Sequence, residues 1–187
     1  ITRLASWKGI EVFIKAAIYS DQDVKFAVVA EPVMGRERYL LKLNKLIGRL
    51  GLEGRVLIKL GEYKNIPEVI AASDLIVHAS LRPEPFGLII IEAMAMRKPV
   101  IAAKCGAPLE IITDGVDGLL VKPGIPQALA SAISALLKNP STAERMALEA
   151  RKKAVAKFDL KEYTRSLDSV FKGAFNEYFL KEIRISI

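Results

Sequence analysis

Two carboxylates, Glu84 and Glu92, are separated by seven residues in a stretch that begins with two prolines. Pro83 and Pro85 fix the backbone on either side of Glu84 and disfavour helix at that point. From Phe86 onward the residues are good helix formers, so we predict an extended loop that leads into a helix. The first amides of a helix lack partners within the helix and attract anions. Carboxylates around such a helix start can also accept hydrogen bonds from sugar hydroxyls.

The rest of the chain alternates short apolar runs with helical patterns. The runs predict strands buried on both faces at 24–30, 55–60, 74–80, 99–103 and 118–121. Helices are predicted at 10–20, 36–50, 66–72, 86–96, 126–137 and 142–157. This order is typical of right-handed βαβ units, so the predicted fold class is α/β with a parallel sheet.

The predicted strands also indicate where a ligand would bind. In parallel α/β sheets the ligand crevice lies at the carboxyl ends of the strands. Four segments follow predicted strands, and they cover residues 31–35, 61–65, 81–87 and 104–108. Glu84 belongs to one of them, so the acidic pair is expected on the ligand side of the sheet.

Length, charge and composition restrict the function further. The chain has 187 residues, which predicts one domain, and its net charge of +7 favours anionic partners. Cys105 is the only cysteine, so the chain cannot form an internal disulfide or a cysteine metal cluster. His78 is the only histidine, and its apolar surroundings favour a core or strand-end residue over a catalytic one. We expect no metal and no cofactor.

Several other functions and locations are disfavoured by what the sequence lacks. It has neither Gly-x-Gly-x-x-Gly nor Gly-x4-Gly-Lys-Ser/Thr, which argues against dinucleotide oxidoreductases and P-loop NTPases. A Gly-x-Ser-x-Gly elbow is also absent, which argues against serine hydrolases. Basic and aromatic residues do not cluster as in a nucleic-acid interface. No run is apolar enough to span a bilayer and no signal peptide is visible, so we expect a cytoplasmic protein, or one that is peripheral to a membrane in a full-length form.

A family resemblance is carried by a series of motifs in a fixed order. They are Arg3-Leu4, Lys8-Gly9, 66–74, 83–87, 92–95, 99–102, 110–112, Asp114-Gly115, 118–121 and Pro123-Gly124. In this order and spacing the chain resembles retaining glycosyltransferases of the GT-B fold, family 4, over about residues 1–170. The resemblance implies a three-layer Rossmann-like domain, the C-terminal half of a GT-B fold, which binds a UDP-, GDP- or ADP-sugar. A separate N-terminal domain, absent from this chain, would supply most of the acceptor site.

The resemblance also assigns roles to individual residues. Glu84 corresponds to the catalytic-site glutamate beside the transferred sugar, and Glu92 to the one that accepts from the ribose hydroxyls. Arg3 and Lys8 correspond to the cations that neutralise the donor diphosphate as the glycosidic bond breaks. Phe86, Gly87 and Leu88 are expected to contact the donor through the main chain. Gly61, Glu62 and Tyr63 are expected to line the nucleobase pocket. Tyr63 has two open interpretations: packing on the base, or partial exposure without a ligand.

Three residues depart from the family pattern. Ala107 replaces the second glycine of a pair after Cys105, and its extra methyl group is expected to narrow the sugar pocket and so to affect which donor binds. Arg97 replaces a glycine, which is acceptable if the backbone avoids positive φ. Ile125 replaces an aspartate that would cap the helix predicted from Pro126, and the loss is about 1 kcal/mol of stability.

The domain prediction is a nucleotide-sugar-binding unit at 1–157 and a helical segment at 158–187. Apolar residues recur in that segment at helical spacing: Leu160, Tyr163, Leu167, Val170, Phe171, Ala174, Phe175, Tyr178 and Phe179. This stripe would pack on the domain itself, on the N-terminal domain, or on a second copy by self-association. The isolated chain is expected to bind nucleotide and to be inactive. Two alternatives to a transferase are kept, namely a non-catalytic nucleotide-sugar-binding module and a GT-B nucleotide-sugar epimerase.

Overall fold

A computed structural model describes residues 1–31, 35, 37–61 and 65–185 of the protein, with side chains up to residue 175. The strands are β1 (Thr2–Arg3), β2 (Phe26–Glu31), β3 (Val56–Leu60), β4 (Ile76–His78), β5 (Val100–Ala103) and β6 (Leu119–Val121). The helices are α1 (Ile10–Ala16), α2 (Glu37–Arg49), α3 (Ile66–Ala71), α4 (Leu88–Ala95), α5 (Pro108–Ile111), α6 (Pro126–Leu137), α7 (Pro140–Phe158) and α8 (Leu160–Ile185).

The strands form two parallel sheets of three, in the orders β1-β2-β3 and β4-β5-β6. The two-residue strand β1 pairs with the carboxyl end of β2, where Thr2 lies opposite Ala30 and Arg3 opposite Glu31. In the second sheet, β5 is the central strand and pairs with β4 and β6. The prediction of an α/β fold with parallel strands is therefore confirmed. The sequence patterns did not predict the short helix α5.

The core lies on both faces of the second sheet because side chains alternate along a strand. Ile101 of β5 packs into one cluster, which also contains residues of β2, α1, α2 and α6. Its neighbours Val100 and Ala102 pack into the other cluster with residues of α4 and α7. Helices thus cover both faces, which gives three layers around β5, whose four residues are all buried.

The expectation that every predicted strand is buried on both faces is wrong for β3. Leu57 in that strand is 59% exposed, whereas Val56 is 7% exposed and packs in the core. Ala27 of the central strand β2, which pairs with Leu57, is also exposed, so the expectation fails for β2 as well. This face of β2 and β3 is therefore exposed at these two positions, and the apolar residues of a strand do not indicate whether another element covers each face.

The helix α4 is held in place by α7. Ile90 and Met94 of α4 are fully buried and share a cluster with Ala150 and Ala154 of α7. The small alanines let the two helices approach closely. Lys153 of α7 adds polar contacts to the segment after β5, since its ammonium donates to the Asp117 carboxylate at 2.5 Å and to the backbone oxygen of Ile111.

Arg97 does not avoid positive φ as the sequence interpretation required. Its φ is 56°, and it is the one residue other than glycine with positive φ in the described ranges. It follows the end of α4, where a left-handed residue commonly ends a helix. The arginine therefore accepts the strain of a left-handed conformation, about 1–2 kcal/mol relative to glycine. Its guanidinium also contacts Glu144 at 2.7 Å on the surface.

The helix α8 exposes its apolar stripe over the residues whose side chains are described. Leu160 is 75% exposed, Val170 is 66% exposed and Phe171 is 65% exposed. Packing of this part of the stripe on the domain itself is therefore not observed. Among the described residues, no helix combines the length and apolar character needed to cross a membrane.

The start of α6 provides a test of the cap prediction. Ile125 has extended φ and ψ angles at the N-cap of this helix and makes no side-chain cap hydrogen bond. We expect Ile125→Asp to stabilise the fold by about 1 kcal/mol, because the carboxylate would accept from free amides of the first turn. This gain corresponds to a rise in melting temperature of about 2–4 °C. Ile125→Ala is the control without an acceptor, and equal melting temperatures of the two variants would refute the explanation.

Candidate functional site

Glu84 is a buried carboxylate with three side-chain partners. Its loop connects β4 to α4, and the residue is 9% exposed. Oε2 accepts a hydrogen bond from the Lys8 ammonium at 2.6 Å. Oε1 lies 3.0 Å from His78 Nε2 and also accepts from the Ser80 hydroxyl. Both oxygens are therefore paired, one with a cation and the other with two groups from the end of β4.

Lys8 reaches Glu84 because its loop packs closely against the end of β4. Lys8 is the last residue of a 3-10 turn at Ser6–Lys8, and Gly9 follows with a left-handed φ of 71°. A Cβ atom at Gly9 would lie 1.9 Å from the backbone oxygen of Ala79, so only glycine fits. The amide of Leu81 also donates to the backbone oxygen of Trp7 at 2.8 Å.

The Glu84 backbone is fixed by the loop after β5. The amide of Ala107 donates to the Glu84 backbone oxygen at 3.2 Å. Gly106 has a φ of 71°, and a Cβ atom there would lie 2.7 Å from the Glu84 nitrogen. Three loops, after β1, β4 and β5, therefore meet around this one residue.

The partners of Glu84 keep it ionised. Burial by itself raises the pKa of the carboxyl, but the hydrogen bonds from Lys8 and Ser80 and the charge of Lys8 outweigh that effect. The net pKa of Glu84 lies below its ordinary value of 4.5. The carboxylate is thus an anion at neutral pH and a weak base.

His78 is neutral beside this anion. Burial is the main reason that its pKa lies below the ordinary 6.5, and the charge of Lys8 acts in the same direction, while Glu84 opposes it. A neutral imidazole next to a carboxylate must present its N–H, so we assign the proton to Nε2, which donates to Glu84. Nδ1 is then an acceptor, and it is buried without a hydrogen-bond partner among the described residues.

A cavity of about 950 Å³ borders this cluster. Its wall includes Lys8, Glu84 and the residues Phe86, Gly87 and Leu88. Gly87 has a φ of 88° and turns the loop into α4, whose first residue is Leu88. Lys8, Glu84 and the three residues predicted to contact the donor through the main chain therefore all line this cavity.

The other predicted site residues lie elsewhere on the structure. Arg3 ends β1 and is exposed, and Gly61 directly follows β3 at the corresponding edge. Glu92 is exposed on α4, one turn beyond Leu88 on the same helix face, and does not line the cavity. Glu62 and Tyr63 lie outside the described residues. No group of three or more His, Cys, Asp or Glu side chains that could hold a metal ion occurs in the described part of the chain.

Sequence reasoning missed two of the Glu84 partners. His78 is buried at a strand end, as the sequence predicts, but it also contacts Glu84. Ser80 is 1% exposed and donates to Glu84, a contact that no sequence motif indicates. Their position in the sequence could have indicated the contact, since both residues lie at the carboxyl end of a predicted strand within six residues of Glu84.

Comparison with known proteins gives concordant matches. Residues 1–153 match the family model described as glycosyl transferases group 1. Alpha-D-kanosaminyltransferase of Streptomyces kanamyceticus is 32% identical over 176 residues, which cover 92% of this chain and 44% of that protein. The chain therefore spans less than half the length of this relative.

Solved structures of two proteins are also similar to this chain. Alr3699/HepE of Anabaena, in complex with UDP, has a TM-score of 0.88 at 35% identity and covers 91% of this chain and 47% of its own. The same protein was also solved in complex with UDP-glucose. The C-terminal domain of LpcC, a glycosyl transferase group 1 family protein from Francisella tularensis, has a TM-score of 0.78 at 30% identity. That match covers 86% of this chain and 84% of the LpcC domain.

The buried histidine makes stability depend on pH in a specific window. Because its folded pKa lies below 6.5, the folded state binds fewer protons than the unfolded state when the pH falls below that value. The free energy of unfolding should therefore fall below pH 6.5, by up to about 1.4 kcal/mol per pH unit, and be insensitive to His78 above it. His78→Gln can still donate to Glu84 but does not titrate, so its unfolding free energy should fall less. Urea unfolding of both proteins at a series of pH values measures the difference, and parallel curves would contradict it.

Proposed function

Since this chain belongs to the glycosyl transferases group 1 family, we propose that it is the donor-binding domain of a retaining, family 4 glycosyltransferase. The longer enzyme would transfer a hexosyl group from a nucleoside diphosphate sugar to an acceptor. The observation that carries the proposal is the pairing of Lys8 with the buried Glu84 beside the start of α4. A cation, a carboxylate and free helix amides are what a sugar joined to a diphosphate requires.

Each group has a distinct part in the proposed reaction. Lys8 and Arg3 neutralise the diphosphate as it leaves, which stabilises the charge that develops when the glycosidic bond breaks. The amides at Phe86, Gly87 and Leu88 meet the sugar and the distal phosphate. Glu84 accepts from sugar hydroxyls and faces the reacting carbon as the catalytic carboxylate. These roles need no metal ion and no cofactor.

Glu92 is proposed to bind the ribose. It is exposed on the same face of α4 as Leu88, so its carboxylate lies one turn further from the helix start than the amides assigned to the phosphate. Gly61, with Glu62 and Tyr63 beyond it, is proposed to lie beside the nucleobase. UDP is the first nucleotide to test because the Anabaena protein binds UDP and UDP-glucose in its structures, with GDP and ADP as the other candidates.

The rest of the enzyme is proposed to lie outside this domain. Residues 1–157 form the nucleotide-sugar-binding unit, and an N-terminal domain supplies the acceptor site. The segment 158–187 packs its apolar stripe on that domain, which agrees with the exposure of Leu160, Val170 and Phe171 here. Without an acceptor domain the chain would bind donor but lack the proximity that gives a transferase most of its rate. The proposed location is the cytoplasm.

One observation favours the epimerase alternative. His78 and Glu84 form the combination of histidine and carboxylate that such an enzyme uses for proton transfer. However, Glu84 is held by three partners and its pKa lies below 4.5, which makes it a poor base. Charge stabilisation suits this carboxylate better, so a transferase is the preferred function.

Binding of nucleoside diphosphates to the purified chain tests the proposal. We expect at least one of UDP, GDP and ADP to bind in calorimetric titrations. Glu92→Ala should weaken the binding about tenfold or more, because a charge-assisted hydrogen bond to the ribose is lost. Glu149→Ala is the matched control, since it removes a partly exposed helical glutamate that pairs with Lys152 on α7. If the folded chain binds none of the three nucleotides, the proposal is wrong.

The role of Glu84 is tested in a longer protein that contains the acceptor domain. Glu84→Gln keeps the size of the side chain but removes the charge beside the reacting carbon. We expect it to lower the transfer rate by about a hundredfold or more without loss of nucleotide affinity. Full transfer activity in this variant would remove Glu84 from the catalytic role.

A further inference from the structure

The Lys8 ammonium is the cation that neutralises the buried Glu84. The two groups are 2.6 Å apart, and their side chains are only 13% and 8% exposed. Under the proposed function the same ammonium also has to neutralise a diphosphate. A diphosphate beside Lys8 carries more charge than Glu84 and competes for the same donor hydrogens.

We propose that Lys8 is an exchangeable counter-ion, which a diphosphate draws away from Glu84 so that Oε2 becomes free to accept from a hydroxyl of the sugar. This inference rests on the proposed function and adds an order of events to it. The nucleotide end of the donor would prepare the carboxylate that the sugar end then uses.

The structure allows the Lys8 side chain to move while its backbone stays in place. Gly9 is fixed by its close approach to Ala79, and Trp7 accepts the backbone hydrogen bond from Leu81. Beyond these anchors the ammonium lies on a flexible four-carbon stem. It also lies 4.4 Å from the centre of the Trp7 ring, a contact that can persist while the hydrogen-bond partner changes.

Glu84 keeps its position when Lys8 leaves because other groups hold it. His78 and Ser80 donate to Oε1, and neither depends on Lys8. The Glu84 backbone is bonded to the loop at Gly106 and Ala107. We therefore assign His78 and Ser80 as positioning residues, which orient Oε2 toward the site that Lys8 vacates.

The exchange has a consequence for donor selection. A nucleotide without a sugar would leave Oε2 buried and unpaired, which is costly for a carboxylate. A nucleotide sugar would supply a hydroxyl to that oxygen. The exchange therefore favours the complete donor over its nucleoside diphosphate product, which helps the product to leave.

A double-mutant cycle with UDP as the probe tests the exchange. If UDP must take Lys8 from Glu84, then Glu84→Gln should tighten UDP binding by about three- to tenfold, because the competing anion is gone. In the Lys8→Met background the same substitution should have a clearly smaller effect. Equal effects in the two backgrounds would show only repulsion between Glu84 and UDP, and would overturn the exchange. Lys42→Met removes a surface lysine that pairs with Glu11 at 3.0 Å, and it should leave the affinity unchanged.

A measurement on the unsubstituted protein covers the case in which a variant does not fold. The pKa of Glu84 can be followed by NMR of its carboxyl carbon, with and without saturating UDP. The exchange predicts a clear rise in this pKa on UDP binding, because the Lys8 charge is lost from the carboxylate. If UDP binds and the pKa stays constant, Lys8 bridges both anions and the exchange is wrong, while the proposed function stands. If UDP, GDP and ADP all fail to bind, the proposed function fails and the exchange with it.

Binding of UDP-glucose tests the second step, in which a sugar hydroxyl donates to Oε2, separately from the exchange of Lys8. The ratio of the affinity for UDP-glucose to that for UDP should fall in His78→Leu, which removes a donor to Oε1, and recover in His78→Gln, which restores one. A purely structural role for His78 would weaken both ligands equally. An unchanged ratio in His78→Leu would remove the positioning role.

Discussion

A buried carboxylate needs partners for both of its oxygens, and this requirement governs the arrangement of the ligand edge. An unpaired charge at a site as buried as Glu84 would cost several kcal/mol. The donors come from two different segments, Lys8 after β1 and the pair His78 and Ser80 at the end of β4. The loop after β1 must therefore approach the end of β4 more closely than a side chain would permit, and Gly9 makes this contact possible, as Gly106 does for the loop after β5.

Much of the fold is predictable from this sequence because burial in a parallel sheet leaves continuous apolar runs. All five predicted strands exist, and α6 has the predicted bounds of Pro126–Leu137. The failures concern information that composition does not contain. Leu57 is as apolar as its neighbours, but its exposure depends on whether another element covers that face of the sheet, where the paired Ala27 is also exposed. Arg97 has a left-handed backbone because the chain must turn from α4 toward β5, and this geometry overrides the preference of the residue.

The site was predictable to the level of its loops but not of its contacts. Glu84 follows a predicted strand, so its place at the carboxyl edge follows from the fold class. Its contact with Lys8 joins residues 76 positions apart, and nothing in the local sequence indicates that pairing. The family resemblance placed both residues near one ligand without placing them against each other. His78 remained ambiguous because a buried histidine and a site histidine have the same apolar neighbours in sequence.

The two glutamates differ in environment, and this difference divides their chemistry. Glu92 is exposed to water, so its hydrogen bond to a ribose becomes strong only when the bound nucleotide itself covers the carboxylate. Glu84 is already enclosed, and two neutral donors fix its direction while one cation compensates its charge. Because orientation and charge are supplied by different residues, one can change without the other. A single flexible lysine can then alter the electrostatics of the carboxylate while its geometry is preserved, which is the condition that a preorganised catalytic group has to meet.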